Sequence, residues 1–159
     1  GGDVKQAETI LKEVLAKNPD NVFALHNLGT LYIRKKEDYQ TGLTYLKKAV
    51  ELKEKRELTQ EEIFKLSNTF HAIGETYFEN LNQPAAALPY LENSYAIAPD
   101  NVVTMLDLVS VYAEVKQETK AKEMLMKAYA FATERQYKHF YGDIKKAAKK
   151  LGLKKEIQL

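Results

Sequence analysis

The strongest constraint on the fold of this chain is an internal repeat. The segment HNLGTLYI at residues 26–33 returns as HAIGETYF at residues 71–78, and LDLVSVYA at residues 106–113 keeps the same apolar spacing. Each copy is followed by a second segment with apolar residues at helical spacing, and a fourth such segment, residues 4–16, stands at the start without a partner. Repeating units of this kind bury their apolar faces against one another. The sequence therefore predicts a stack of helix pairs.

Short polar segments divide this stack into units. NPDN at residues 18–21 and APDN at residues 98–101 each combine a proline, which ends a helix, with an asparagine that can cap the next one. Small residues recur where two helix axes must approach closely, namely Gly29, Gly42, Ala49, Gly74, Ala87, Ser94, Ala121 and Ala128. Large apolar residues at helical spacing fill the space between the helices.

This combination resembles the tetratricopeptide repeat, a two-helix unit of about 34 residues with small residues at fixed points and a closing proline. The resemblance covers roughly residues 2–131 and implies an all-α fold, a right-handed α-α superhelix of about eight helices. The predicted divisions are a lone second helix at 2–21, repeats at 22–58, 59–101 and 102–132, and a C-terminal capping helix and tail at 133–159. Because the first unit lacks its leading helix, we expect further repeats upstream.

The sequence departs from the repeat pattern at several points. The inner turns at residues 35–38 and 80–83 each hold one extra residue. About ten extra residues follow Leu52, and Thr59-Gln60-Glu61-Glu62 predicts a capping box that starts a lengthened helix near Gln60. Pro89 is harmless if its helix begins near Ala86 but removes one backbone hydrogen bond if the helix begins at Pro84.

The C-terminal segment is predicted as one capping helix. Its apolar stripe runs from Tyr137 to Leu151, its lysines point outward, and the residues from Gly152 onward are expected to fray.

The family resemblance also implies a binding surface. Tetratricopeptide proteins commonly hold a peptide on the concave face formed by the leading helix of each pair. Carried over position by position, the groove residues are Phe23, His26, Asn27, Thr30, Ile33 and Arg34, then Asn68, His71, Glu75, Phe78 and Glu79, then Val103, Leu106, Asp107, Ser110 and Glu114. Because four of the later residues are acidic, we expect a protein partner with a neutral or basic peptide and an apolar anchor near Phe23, Ile33 or Phe78.

Two other surfaces offer alternative modes of docking. From Thr133 onward there are 8 Lys or Arg against 3 Asp or Glu, so the lysines at residues 145–155 could meet nucleic acid or an anionic surface. The aromatic residues that would stack on bases are needed to cap the stack, and we expect no nucleic acid partner. At the other end, Ile10, Leu11 and Val14 form an open flank that predicts burial against a second copy of the chain or against upstream repeats.

Catalytic and metal-binding signatures are absent from the sequence. It contains no cysteine, no phosphate-binding loop and no nucleophile elbow, and its three histidines lack a companion nucleophile at a recognisable spacing. His26, His71 and Glu75 are the only candidates for a metal site, and they lack a completing ligand. No stretch approaches the about 18 apolar residues of a membrane-spanning helix. We predict a non-catalytic scaffold without a cofactor or membrane insertion. We take the cytoplasm as the default compartment, and earlier removal of a signal peptide is the alternative.

Overall fold

A computed structural model describes the whole chain, residues 1–159, as eight α-helices without a β-strand. They are α1 (Gly2–Lys17), α2 (Val22–Lys36), α3 (Tyr39–Lys55), α4 (Gln60–Glu75), α5 (Pro84–Ile97), α6 (Val102–Glu114), α7 (Glu118–Glu134) and α8 (Tyr141–Leu151). A π-helical turn, Thr76–Asn80, extends α4, and a short 3₁₀ turn, Lys138–Phe140, precedes α8. The predicted all-α fold of about eight helices is confirmed.

The helices pack as a stack of pairs. The most extensive contacts join α2 to α3, α4 to α5 and α6 to α7, and we call the first helix of each pair leading and the second trailing. Successive pairs meet where α3 contacts α4 and α5 contacts α6, and the leading helices α2 and α4 also contact each other. At the two ends, α1 packs on α2, and α8 packs on both α6 and α7. This arrangement is the superhelix that the repeat predicted.

Side-chain caps start the three leading helices. The Asn21 side chain accepts a hydrogen bond from the Ala24 N–H at 2.9 Å, and Asn101 caps α6 in the same way. At α4, the Glu62 N–H donates to Thr59 Oγ1 at 3.2 Å, and the Thr59 N–H donates to Glu62 Oε2 at 2.9 Å. These bonds satisfy N–H groups that a helix start leaves free, and the predicted capping box with a helix start at Gln60 is confirmed.

The three inner turns close on equivalent tyrosine carbonyls. The Asp38 N–H donates to the Tyr32 carbonyl at 3.1 Å, and the Gln83 N–H donates to the Tyr77 carbonyl at 2.7 Å. In the third pair the Gln117 N–H donates to the Tyr112 carbonyl, and the turn that this bond closes is one residue shorter. The extra residue predicted in the first two turns is thus held inside a wider closing loop, which in the second pair takes the form of the π-helical turn.

Glycines let the helices of the first two pairs approach closely. A Cβ atom at Gly29 would lie 2.6 Å from the Leu46 side chain and 2.9 Å from the Gly42 carbonyl oxygen. A Cβ atom at Gly74 would lie 2.6 Å from the Leu91 side chain. Leu46 and Leu91 are fully buried, and each contributes about 1.5–3 kcal/mol through burial of its side chain.

The C-terminal end differs from the prediction in two respects. Helix α8 begins at Tyr141, so Tyr137 lies outside it. The residues after Gly152 do not fray: Ile157 is 5% exposed, and the Leu153 N–H donates to the Ala148 carbonyl at 2.8 Å. Gly152, with a φ of +72°, reverses the chain and brings Leu153 and Ile157 back onto the apolar core.

The sequence did not decide whether Pro89 lies near the start of helix α5 or inside it. Because α5 begins at Pro84, Pro89 lies inside the helix and lacks the N–H that would bond to the carbonyl four residues earlier.

Candidate functional site

The sixteen predicted groove residues lie on the three leading helices and on the π-helical turn that extends α4, and none of them is buried. Seven are exposed, namely Phe23, Asn27, Arg34, Glu79, Val103, Ser110 and Glu114. The other nine are partly buried, namely His26, Thr30, Ile33, Asn68, His71, Glu75, Phe78, Leu106 and Asp107. Of the large apolar members, Phe23 is 38% exposed and Val103 is 44% exposed, which leaves these two the most accessible to a ligand.

Polar contacts join adjacent leading helices along this surface. His26 Nδ1 lies 2.9 Å from Thr69 Oγ1, and His71 Nε2 lies 2.6 Å from Asp107 Oδ2. Between them, an Arg34 guanidinium nitrogen lies 3.8 Å from Glu75 Oε2. The two histidines are therefore each engaged with the next leading helix rather than with each other.

Thr69 is a polar partner that the sequence analysis missed. It is buried and lies two residues before the histidine of its copy of the repeat, where the first copy has Ala24 and the third has Thr104. The available signal was a hydroxyl group at a repeat position that packs inside the stack, because a buried hydroxyl group needs a hydrogen-bond partner.

The two histidines have opposite electrostatic environments. Burial, reinforced by the positive charges of Lys65 and Arg34, lowers the pKa of His26 from 6.5 to about 4. Burial also acts to lower the pKa of His71, but the hydrogen bond and charge of Asp107, together with Glu75, outweigh burial and raise it above 6.5. At neutral pH, His26 is neutral.

An acidic cavity of about 320 Å³ lies between α2 and the end of α4. Its walls are Ile33, Arg34, Glu37, Tyr39, Glu75, Glu79 and Asn80. Four of these residues are predicted groove residues from two different repeats. With three carboxylates against one guanidinium, the cavity suits a positively charged group.

A second cavity, of about 340 Å³, lies between α6 and α8. The predicted groove residues Val103, Leu106, Asp107 and Ser110 form one wall, and Phe140, Asp143, Lys146, Ala147 and Lys150 form the other. Helix α8 thus occupies the place that the next leading helix of the stack would take. We call these two spaces the acidic cavity and the α6–α8 cavity.

The α8 lysines are all exposed, as predicted, and two of them also face the edge of the stack. Lys146 and Lys150 border the α6–α8 cavity, because α8 contacts α6 as well as α7. The spacing of Asp143, Lys146 and Lys150 places them on one side of the helix, but it does not show that this side faces α6.

The histidines and carboxylates do not assemble into a metal site. No group of three or more His, Asp or Glu side chains is placed to hold a metal ion. Separately, none of the eight helices combines the length and the apolar composition that a membrane crossing requires.

Comparisons with solved structures find the same fold in several proteins. A crystal structure of MamA matches 98% of this chain and 78% of its own, with 24% identity and a TM-score of 0.72. A putative kinesin light chain of Podosopora anserina, with nearly identical TPR-like repeats, matches 99% of this chain and 83% of its own, with 21% identity and a TM-score of 0.72. PilF of Pseudomonas aeruginosa matches 89% of this chain and 65% of its own, with 15% identity and a TM-score of 0.61. Identities at this level establish the fold.

Family membership follows from the sequence itself. No curated protein matches the chain. Residues 24–56 and residues 81–144 each match the tetratricopeptide repeat, and together they make up more than half of the chain. With the helix pairs, the close glycine contacts and the similar solved structures, these matches show that the chain belongs to the tetratricopeptide repeat family.

Proposed function

We propose that this protein is a non-catalytic scaffold that binds a peptide segment of another protein along the faces of α2, α4 and α6. A general role as a protein-interaction scaffold follows from the family. The observation that supports a peptide site is that the acidic cavity and the α6–α8 cavity are both lined by groove residues carried over from the repeat pattern. Each cavity combines side chains from at least two helices, which suits it to one side chain of a bound segment.

The acidic cavity favours a basic side chain in the ligand. Glu37 and Glu79 form no ion pair within the chain, while Glu75 is paired with Arg34. The pair is solvent-accessible and 3.8 Å long, so it contributes little stability and a lysine or arginine of the ligand can compete for Glu75. This preference agrees with the neutral or basic peptide that the sequence predicts.

The α6–α8 cavity offers a place for the apolar anchor in addition to the exposed Phe23. The Ile33 side chain fills the space beside Gly42, and Phe78 packs against the main apolar core. Val103 and Leu106 instead present apolar surface next to Phe140, with Lys146 and Lys150 at the edge. An apolar ligand side chain would bury this surface while the lysines remain solvated.

Selection from a random 12-residue peptide display library, followed by isothermal titration of the selected peptides, tests the proposal. We expect peptides with a basic residue and an apolar residue. The charge reversal Glu79→Lys should weaken their binding at least ~10-fold, because it removes attraction and adds repulsion. Leu106→Asp should weaken binding by a similar factor through the apolar anchor.

Glu123→Lys is the matched control, because Glu123 is an exposed glutamate on the trailing helix α7. It should leave the affinity unchanged. The proposal is wrong if the selected peptides are acidic, or if they bind the Glu79→Lys and Leu106→Asp variants as tightly as they bind the wild type while circular dichroism shows all proteins folded.

A further inference from the structure

The N-terminal end of the stack exposes a surface that is covered everywhere else in the molecule. Helix α1 has the sequence pattern of a trailing helix, and aligning NPDN with APDN makes Ala7 and Leu11 equivalent to Ala87 and Leu91. Ala87 and Leu91 are fully buried under α4, whereas Ala7 and Leu11 are partly exposed. Their neighbours Ile10 and Val14 are 52% and 36% exposed. The surface of α1 is thus built like a helix-binding face but has no helix on it.

A groove of about 530 Å³ runs along this surface between α1 and α2. Its apolar lining is Ala7, Ile10, Leu11 and Leu31. Thr30, at its side, donates its hydroxyl hydrogen to backbone carbonyls of its own helix. The groove therefore offers apolar surface with few unsatisfied polar groups, which favours a side-chain-mediated helix contact over an extended strand that must pair its backbone.

The rim of the groove carries net positive charge. Arg34 and Lys35 line it on α2, and both are exposed. Lys12 and Lys36 lie nearby, and both bond to Glu8, the carboxylate that joins α1 to α2. The hydrogen bonds from Lys12, Lys36 and Tyr32 lower the pKa of Glu8 to about 2, so its single negative charge is shared by two lysines. A ligand with acidic side chains is therefore favoured at the rim.

We propose that the α1–α2 groove binds an acidic amphipathic helix of a partner protein, in the way that α4 covers α5. The internal precedents define the helix: Gly29 lies against Leu46, and Gly74 lies against Leu91, each at a distance that leaves no room for a Cβ atom. The bound helix should accordingly place glycine over Leu11, with large apolar residues one turn to either side. This groove shares Asn27, Thr30 and Arg34 with the predicted peptide surface, but its apolar floor on α1 lies outside that surface.

Two synthetic peptides from the chain itself provide matched probes. Residues 60–80 contain the glycine pattern with four glutamates and one lysine, whereas residues 22–36 contain the same pattern with one arginine, two lysines and no acidic residue. Each is labelled with fluorescein, and binding to the intact protein is followed by fluorescence anisotropy at low salt. We expect the acidic peptide to bind at least ~10-fold more tightly than the basic one, and a Gly74→Leu change within the peptide to abolish binding.

Substitutions in the protein locate the site. Ile10→Glu should weaken binding of the acidic peptide at least ~10-fold and leave the fold intact, because Ile10 is exposed. Met126→Glu makes the same kind of change at an exposed apolar residue of α7 and should have no effect. Equal affinity of the Ile10→Glu variant and the wild type would overturn the proposal, and so would the absence of binding by the acidic peptide.

Two other occupants are distinguished by further measurements. If sedimentation velocity shows a wild-type dimer that Ile10→Glu converts to a monomer, a second copy fills the groove and the proposal is wrong. If a longer form of the chain with residues ahead of Gly1 does not bind the acidic peptide, those residues fill the groove and the proposal is equally wrong. The two proposals can fail independently. The first is tested with library-selected peptides and changes at Glu79 and Leu106, and the second with the chain-derived peptides and a change at Ile10.

Discussion

The segments HNLGTLYI and HAIGETYF share histidine, glycine and tyrosine at the same positions, yet these residues behave alike only in part. Gly29 and Gly74 both lie against a buried leucine of the trailing helix. Tyr32 and Tyr77 both stack on a tyrosine of the trailing helix, with ring centroids 5.7 Å and 5.8 Å apart. In contrast, the pKa of His26 is lowered and that of His71 is raised.

The difference follows from the direction in which each side chain points. Glycine and the tyrosine ring face the trailing helix of their own pair, which repeats with them. The histidines face the next leading helix, which differs between the copies: Asp107 stands in α6 where Ala72 stands in α4. His71 therefore meets a carboxylate, while His26 bonds to Thr69.

Thr104 adds evidence for this explanation. It is equivalent to Thr69, but its buried hydroxyl has no hydrogen-bond partner. The histidine that would reach it by analogy, His71, is engaged with Asp107 instead.

The largest expected effect concerns the contacts within a pair. Gly29→Ala should lower the free energy of unfolding by about 1–3 kcal/mol, because the added Cβ atom would overpack the pair and the Gly42 carbonyl oxygen is a backbone atom that cannot move aside cheaply. Gly74→Ala should cost less, since its nearest backbone atom is 3.4 Å away and the Leu91 side chain can adjust. Urea unfolding measures both.

Gly142→Ala is the control for these glycine variants. A Cβ atom at Gly142, inside α8, would have no neighbour within 4 Å, so the change should stabilise the protein by up to about 1 kcal/mol through helix propensity. If Gly29→Ala and Gly74→Ala lower the free energy of unfolding equally, backbone proximity does not distinguish the two helix pairs.

Removal of the Asp107 carboxylate should bring the pKa of His71 closer to that of His26. In Asp107→Ala, burial is no longer outweighed, and we expect the pKa of His71 to fall below 6.5, toward the value of His26. An NMR titration of the histidine ring protons measures this shift. Glu114→Ala, which removes an exposed acid of the same helix, should leave the pKa of His71 unchanged. A raised pKa that persists in Asp107→Ala would refute the explanation.

The stability contributed by the two histidines should depend on pH in opposite directions. The pKa of His71 is raised in the folded state, so its contribution is complete below 6.5 and is lost as pH rises through the folded value. The pKa of His26 is lowered, so its contribution is complete above 6.5 and is lost as pH falls toward about 4. Urea unfolding of the wild type, His26→Gln and His71→Gln between about pH 4 and 8 tests both signs; parallel pH profiles of the two variants would contradict them.

The smallest effect is expected at the tyrosine hydroxyls. Tyr32 donates to Glu8 at 2.6 Å, whereas Tyr77 accepts from Lys47 at 2.5 Å. Each Tyr→Phe change should cost about 1 kcal/mol or less, because the charged partner can turn to solvent or to its other partners. Tyr32→Phe should also raise the pKa of Glu8 from about 2, which NMR can follow, and Tyr77→Phe should not.

Sequence reasoning was most successful where contacts are local or repeat with the unit. The helix pairs, the caps at Asn21 and Asn101 and the capping box at Thr59 depend on residues a few positions apart, and each could be predicted. The tail could not, because the burial of Ile157 depends on the reversal at Gly152 and on a core built from distant helices. The second wall of the α6–α8 cavity was missed for the same reason: nothing local shows that α8 turns toward α6.

By itself, the sequence determined the repeating unit and the starts of its capped leading helices, because these depend on the 3.6-residue period and on caps. Only the tertiary structure decided which charges meet across neighbouring leading helices. In the folded protein, His71 forms a hydrogen bond with Asp107, and His26 forms one with Thr69. The physical reason is that a pKa depends on burial and on charges within a few ångströms, and those neighbours come from segments more than thirty residues away.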